Sequence, residues 1–220
     1  MTWIATSRYG LDVAPDGLAL VHDFLNTASA DRPRKPDLLA DPPSATEWMG
    51  AALATWAGQW KSPVLDEVDL DMLTERDLGV LRRARAGLLQ SLRSRDFDED
   101  GTSHDERDDA LAGLADLEVA VEAGFGPDGT VYFKPKGRGW KLLLGPIALE
   151  MRRAQDAGLW ARLKTCKNDL CRGAFYDRSR NNSGVWHDVR TCGNAANLRA
   201  SRERRRNAAE QAAGRPSRAR

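Results

Sequence analysis

CKNDLCRGAFYDRSRNNSGVWHDVRTC, residues 166–192, contains all three cysteines of the 220-residue chain and one of its three histidines. Four residues separate Cys166 from Cys171. Fifteen residues separate Cys171 from His187, and four more separate His187 from Cys192. Structural Zn²⁺ takes four such ligands in a tetrahedron, and two ligands at the ends of a short turn can reach one ion. The pattern C-x4-C-x15-H-x4-C therefore predicts a closed site for structural zinc.

The alternative interpretation is three unrelated buried cysteines and a packed histidine. An odd number of cysteines within 27 residues does not fit a disulfide framework, whereas clustered cysteines are typical of metal ligands. A single histidine is more often packed than bound to metal, so His187 is the weakest of the four assignments.

The segments around the ligands predict a small module over residues 161–213, followed by a disordered basic tail at 214–220. AFYD and VW are short strand candidates joined by the turn-rich RSRNNSG, which predicts a hairpin between the ligand pairs. A helix is predicted over residues 195–213, which lack Pro and Gly. This is the plan of a treble-clef or zinc-ribbon module. Metal binding, with an apparent free energy of about 10–16 kcal/mol, supplies stability that its small core lacks.

The charge of the chain is divided between its two ends. Residues 151–220 contain 17 Lys and Arg against 6 Asp and Glu, whereas residues 1–150 contain 16 against 26. An acidic body with a basic tail predicts that the tail binds a polyanion. DNA is the predicted partner. RNA stays open, although the nearby aromatic residues resemble core positions more than a stacking surface. A solvated, frayed tail is the simpler alternative.

Arginine suits this role because its planar fork donates two hydrogen bonds to a phosphate or a guanine. On the predicted helix, Arg199, Arg202 and Arg206 form one stripe, while Leu198 and Ala209 are expected to face the zinc module. The candidate DNA-binding residues are Arg178, Arg180, Arg190, Arg199, Arg202, Arg205 and Arg206.

Residues 1–160 predict a mainly α-helical domain with one β-hairpin. GLALVHDFLNT predicts a short helix, and a Pro-rich connector follows it. A capping box of Ser44 and Glu47 then predicts the start of a helix with an apolar stripe. The members of this stripe are Trp48, Ala52, Trp56 and Trp60.

Further helices are predicted over residues 74–95 and 105–123, the second opened by a capping box at Ser103 and Glu106. TVYF and WKLLL are short apolar runs on either side of a Gly-rich turn, which predicts that they pair as the hairpin. Pro146 suits the first turn of one more helix.

No catalytic constellation accompanies these elements, so we expect the chain not to be an enzyme. Adjacent His22 and Asp23 point in different directions on a helix and favour a packed histidine over an acid–base pair. The N-terminal residues lack a secretory signal, and the 13-residue WMGAALATWAGQW is too short to span a membrane. The sequence predicts a cytoplasmic protein with no membrane partner.

Three segments, LVHDFLNT, LWARLKTCKNDLCRGAFYDRSRN and VWHDVRTCGNAANLRASRERRR, resemble the CGNR zinc-finger family. The resemblance implies an N-terminal domain, often called ABATE, and a C-terminal zinc module that binds DNA in bacterial stress-responsive transcription regulators. The chain departs from the family at His187, where a cysteine is usual. It also departs at Ala195 and Asn197, where the family usually has basic residues, so contacts from those two positions are not implied.

These observations predict a transcription regulator with structural zinc, whose N-terminal domain senses a small-molecule effector or a stress signal. A palindromic DNA site would require a homodimer. Two alternatives stay open: a thiol–zinc redox switch, and an enzyme or protein-interaction scaffold in which zinc is purely structural.

Overall fold

A computed structural model describes residues 2–31, 34–60, 71–96 and 114–213. Its helices are α1 (Ile4–Ser7), α2 (Leu18–Leu25), α3 (Pro42–Gln59), α4 (Glu75–Asp96), α5 (Trp140–Asp156) and α6 (Asn194–Ala213). Its strands are β1 (Val121–Phe125), β2 (Val131–Pro135), β3 (Leu163–Thr165) and β4 (Ala174–Tyr176). The predicted fold class, a mainly helical body with one hairpin and a small α+β zinc module, is confirmed. No helix within the described residues is both long and apolar enough to cross a membrane.

The core of the body surrounds α2, all eight residues of which are buried. This confirms the helix that GLALVHDFLNT predicts. The apolar residues of α2 pack in one core with those of α3, α4 and α5. Gly17, directly before α2, lets the helix approach α5 closely, because a Cβ there would lie 2.0 Å from the Cδ atom of Glu150. The buried Glu150 carboxylate also accepts a hydrogen bond from Trp56 Nε1 at 2.9 Å.

The predicted start of α3 is wrong. Asp41, not Ser44, caps the helix and accepts a hydrogen bond from the Ser44 backbone N–H at 2.9 Å. Pro42 and Pro43 occupy the first helical positions, where a missing N–H costs nothing. The apolar stripe is buried at Trp48, Ala52 and Trp56, but Trp60 lies beyond the helix and is 39% exposed.

α4 confirms the helix predicted over 74–95, and its leucines at helical spacing, Leu78, Leu81, Leu88 and Leu92, are buried.

The predicted hairpin of TVYF and WKLLL is wrong. β2 pairs antiparallel with β1, with Phe125 opposite Val131, around a turn at residues 126–130. WKLLL instead begins α5, and Pro146 lies inside that helix rather than in its first turn. Residues 142–147 are all buried, and a run with no exposed side does not reveal its period.

The helix predicted over residues 105–123 is wrong at its C-terminal end, because residues 117–120 are not helical and β1 begins at Val121. Residues 105–113, the Ser103/Glu106 capping box and the tail at 214–220 lie outside the described part of the chain.

β3 and β4 form a second antiparallel pair that packs against the body. Leu163 and Ala174, one from each strand, belong to the same core as α2 and α4. Arg95, at the end of α4, donates to the backbone carbonyls of Trp160 and Leu163. The first zinc ligand, Cys166, therefore directly follows a sheet that packs firmly against the helices of the body.

Candidate metal centre

The structure brings Cys166, Cys171, His187 and Cys192 together, with their ligand atoms all within 4.8 Å of one another. The three cysteines are buried, and His187 is half-buried. Cys171 Sγ lies 3.2 Å from His187 Nδ1. Two such atoms on one tetrahedral Zn²⁺ would be about 3.5 Å apart, given Zn–S and Zn–N lengths of about 2.3 and 2.0 Å. The Cys171–His187 pair therefore fits the ion with only a small adjustment.

The first ligand pair lies on a tight turn that follows β3. The backbone N–H of Cys166 donates to the carbonyl of Gly173 at 2.9 Å, and that of Cys171 donates to the carbonyl of Asn168 at 2.8 Å. Arg172 has a left-handed φ of 54°, which turns the chain sharply into β4. These contacts aim both sulfurs at one point.

The second ligand pair lies on the turn that leads into α6. Asp188 caps this turn by accepting from the Thr191 N–H at 3.0 Å. A π-helical turn, Val189–Gly193, follows and includes Cys192, whose N–H donates to the Asp188 carbonyl at 2.9 Å. Only Gly193 separates Cys192 from the first residue of α6, so a metal ion bound at Cys192 would fix the start of the helix.

The segment between the ligand pairs is not the predicted hairpin. AFYD does supply β4, but its partner is β3, and the described residues around VW form no strand. A buried ion pair orders this segment instead, with Lys164 Nζ 2.9 Å from Asp177 Oδ2. Asp177 also accepts from the backbone N–H groups of Ser179 and Gly184. Burial opposes ionisation of Asp177, but these hydrogen bonds and Lys164 outweigh it and lower its pKa well below the ordinary value.

Aromatic side chains cover the ligand cluster. Phe175, Tyr9 and Trp186 pack against the cysteines, and the Tyr9 and His187 rings meet edge to face at 6.4 Å. Burial raises the pKa of Tyr9 to about 12, so its hydroxyl stays neutral beside the cluster. A Cβ at Gly193 would lie 3.1 Å from Trp186, which explains the small residue directly after the last ligand.

The sulfurs interact closely without metal. A hydrogen bond from Cys171 lowers the pKa of Cys166, whereas the same hydrogen bond raises the pKa of Cys171. The cluster therefore favours the thiolate form of Cys166 beside a protonated Cys171. A bound Zn²⁺ would favour the thiolate form of all three cysteines. Three sulfurs and one nitrogen complete a tetrahedron, which suits a structural role rather than activation of a water molecule.

The candidate arginines have different surroundings. Arg178 donates to the Val13 carbonyl at 2.7 Å and lies over the Tyr176 ring, so it is anchored to the body. Arg199 is half-buried and donates to Asn168 Oδ1 at 2.5 Å. The side chains of the other candidates, Arg180, Arg190, Arg202, Arg205 and Arg206, are exposed.

Sequence reasoning missed Asn168, which connects the ligand turn to α6. Its Oδ1 accepts from the Leu170 N–H and from Arg199, and the side chain is 3% exposed. Its position between Cys166 and Cys171 could have indicated a structural role in the ligand turn, because Asn side chains often bond to nearby backbone in turns. The prediction that Leu198 faces the module is wrong, since its side chain is 58% exposed.

Comparison with known proteins agrees with this geometry. Residues 162–205 match the family model described as CGNR zinc finger. No curated protein matches the chain. The matched segment includes all four clustered ligands, β3, β4 and the first turns of α6. The chain therefore contains a CGNR zinc finger at residues 162–205, with a Cys₃His cluster positioned to hold a structural Zn²⁺.

Proposed function

We propose that the chain is a DNA-binding transcription regulator in which zinc holds the basic helix α6 in place. The observation that carries the proposal is the position of α6, which begins two residues after the ligand Cys192 and is tied to the ligand turn through Arg199 and Asn168. A helix fixed at its start on a rigid site can enter a DNA groove in a defined orientation.

The charge of α6 supports a polyanionic partner. Residues 202–207 are all exposed, and four of these six residues are arginines. Phosphate contacts by arginine release condensed counterions, which gives affinity that depends on salt concentration. The acidic body would orient the protein by repelling the same DNA.

We also propose that the body binds a small-molecule effector in an apolar cavity of about 300 Å³. α4, α5 and residues 114–119 supply its walls, with Leu88, Leu117 and Ile147 among the lining residues. Such walls suit an apolar small molecule. We expect Ala148→Phe, at the cavity wall, to abolish any thermal shift that such a molecule causes in the full-length protein.

The direct test is selection of mixed genomic DNA fragments by the zinc-loaded, full-length protein. We expect enrichment of a shared site located near transcription starts. The same protein after chelation, and a Cys166→Ser/Cys192→Ser variant, should recover no enriched site. Equal recovery of fragments by the metal-free variant would contradict a zinc-dependent DNA module.

A redox switch is the second candidate, favoured by the close approach of three sulfurs and by a cavity of about 330 Å³ that reaches His187 and Cys192. Hydrogen peroxide would oxidise two thiolates to a disulfide by taking two electrons, and the lost ligands would release Zn²⁺. We expect zinc release and loss of DNA binding to rise together with peroxide. Unchanged zinc content and unchanged binding would rule the switch out.

A further inference from the structure

The inner side of α6 is fixed by contacts with the zinc module. Ala195 and Arg199, one turn apart, line the cavity next to Cys192, and Arg199 is engaged by Asn168. These two residues are therefore turned toward the protein. Every other face of the helix is defined relative to them by the 100° rotation per residue.

The arginine stripe predicted from sequence is poorly suited to DNA. Arg199, Arg202 and Arg206 do line one groove, but Glu203 lies in the same groove. The Glu203 carboxylate would repel a phosphate, and Arg199 already donates to Asn168. A different face of α6 must supply the base contacts if the helix enters a groove.

A second face contains no acidic residue. Asn194, Leu198, Ser201 and Arg205 recur at i, i+4, i+7 and i+11, and we call them the recognition face. Three of these side chains are exposed and Ser201 is half-buried. Leu198 is 58% exposed, with Arg202 one turn beyond it. The face thus combines the amide of Asn194, the apolar side chain of Leu198 and the guanidinium of Arg205. Phosphate binding alone would not require the amide or the apolar side chain.

Three of the four residue types on this face match one base edge in the major groove, whereas serine can bond to either base. Asn pairs with adenine, Arg pairs with guanine, and an apolar side chain contacts the methyl group of thymine. The recognition face is about 16 Å long at 1.5 Å per residue, which covers about four to five base pairs. Asn194 is also at the N-terminal end of α6, the end with which recognition helices often contact bases.

We propose that α6 reads DNA sequence through the recognition face, with Leu198 contacting a thymine methyl group and Arg205 contacting a guanine. This inference rests on the proposed function, and it adds which side of the helix faces the bases. Arg202 lies between the recognition face and Glu203 around the helix, and it binds phosphate from the side of the recognition face. Arg199 positions the helix instead of contacting DNA.

The thymine contact has a direct test. A DNA site selected by the zinc-loaded protein is synthesised with uracil replacing each thymine in turn, which removes only the methyl group. We expect one replacement to weaken binding by the wild-type protein about fourfold, the effect of one methyl group leaving an apolar contact. The Leu198→Ala variant should bind the thymine and uracil sites equally.

The guanine contact is tested with a matched pair of variants. Arg205→Ala and Arg204→Ala remove the same charge from exposed positions on neighbouring sides of α6. We expect Arg205→Ala to weaken binding to the selected site about tenfold and to relax selection at one G·C pair. Arg204→Ala should leave base selection unchanged.

The outcomes separate this inference from the proposed function. If zinc-loaded protein binds no DNA at any salt concentration, both fail. If it binds a selected site but neither uracil substitution nor Arg205→Ala has the expected effect, the recognition face is wrong and the DNA-binding role stands. A Leu198→Gln variant that changes the mass of the particle in solution, with base selection intact, would likewise overturn the inference by assigning Leu198 to a protein contact. Zinc content and far-UV circular dichroism of each variant confirm that it is folded.

Discussion

His22 shows how one buried residue joins the body to the zinc module. Its Nδ1 lies 3.2 Å from the Ala14 N–H, and its Nε2 lies 3.0 Å from the Ala174 carbonyl in β4. An N–H can only donate and a carbonyl can only accept, so His22 is neutral with its proton on Nε2. This confirms the packed histidine favoured by the sequence. Neighbouring Asp23 bonds elsewhere, to the Thr6 N–H and Trp48 Nε1.

The environment of His22 makes stability depend on pH. Burial lowers the pKa of His22 to about 4, below the ordinary value near 6.5 that applies in the unfolded chain. Between these values the unfolded chain binds a proton that the folded chain does not, so stability decreases as the pH falls. We expect a loss of about 2 kcal/mol between pH 7 and pH 5, measured by urea unfolding. His22→Gln, whose amide keeps one donor and one acceptor, should lack this part of the loss. Equal slopes for both proteins would contradict it.

His187 is the ligand that the sequence supports least, and in the structure its Nδ1 lies 3.2 Å from Cys171 Sγ. We expect His187→Ala to lose zinc during dialysis against a chelator that the wild-type protein withstands, because three ligands leave the site open. His187→Cys should keep one zinc per chain, since a thiolate completes the tetrahedron. The measurement is metal content after dialysis, and full retention by the alanine variant would exclude His187 as a ligand.

At the scale of elements, α2 and β4 are joined by a pair of hydrogen bonds from one side chain. Asn26 Nδ2 donates to the Ala174 carbonyl at 3.1 Å, and the Ala174 N–H donates to Asn26 Oδ1 at 2.9 Å. Asn26 therefore pairs with the backbone of β4 much as a neighbouring strand would. Tyr9, in the turn after α1, adds a contact with His187.

We expect Asn26→Ala to lower the free energy of unfolding by about 1–3 kcal/mol, because the buried N–H of Ala174 loses its partner. Chemical denaturation of the zinc-loaded protein measures this change. Asn197→Ala, at an exposed position on α6, is the matched control and should change stability by less than about 0.5 kcal/mol. An equally small effect at Asn26 would show that the contact does not hold the module.

The same elements show what the sequence could predict. α4 and most of α3 follow from helical periodicity because one side of each helix meets the core. α2 follows from the helical spacing of its apolar residues between Gly17 and Asn26, although all eight of its residues are buried. The metal ligands follow from spacing, because a metal requires defined residue types at short separations. WKLLL could not be assigned from its pattern, because it leads into residues 142–147, which are all buried. The strand that pairs with AFYD and the exposure of Leu198 depend on how the module packs against the body. A local sequence pattern contains no information on that packing.

For the whole molecule, the described residues form two hydrophobic clusters of very different size. The larger joins α2–α5 and extends to Leu163 and Ala174 in the module. The smaller contains Phe175 and the three cysteines, with Tyr9, Leu11 and Trp186 packed around it. Three of the four buried residues in this smaller cluster are metal ligands, so its stability depends on the ion.

Removal of zinc should therefore affect the two parts unequally. After chelation we expect amide hydrogen exchange to lose protection in residues 166–200, whereas α2–α5 remain protected because their core contains no metal ligand. Hydrogen exchange followed by mass spectrometry resolves these segments, and re-addition of Zn²⁺ is the control. Loss of protection throughout the chain in one step would contradict the view that the body is stabilised by its apolar core and the module by its metal ion.

The claim that zinc positions α6 on DNA is tested most directly by binding measured across a salt series, with zinc and after chelation. We expect log K to fall linearly with log salt concentration, with a slope of about 0.9 for each phosphate contacted. We expect Arg202→Ala to lower this slope by about one, and chelation to remove site-specific binding. Binding that is absent at every salt concentration, or that is identical with and without zinc, would contradict it.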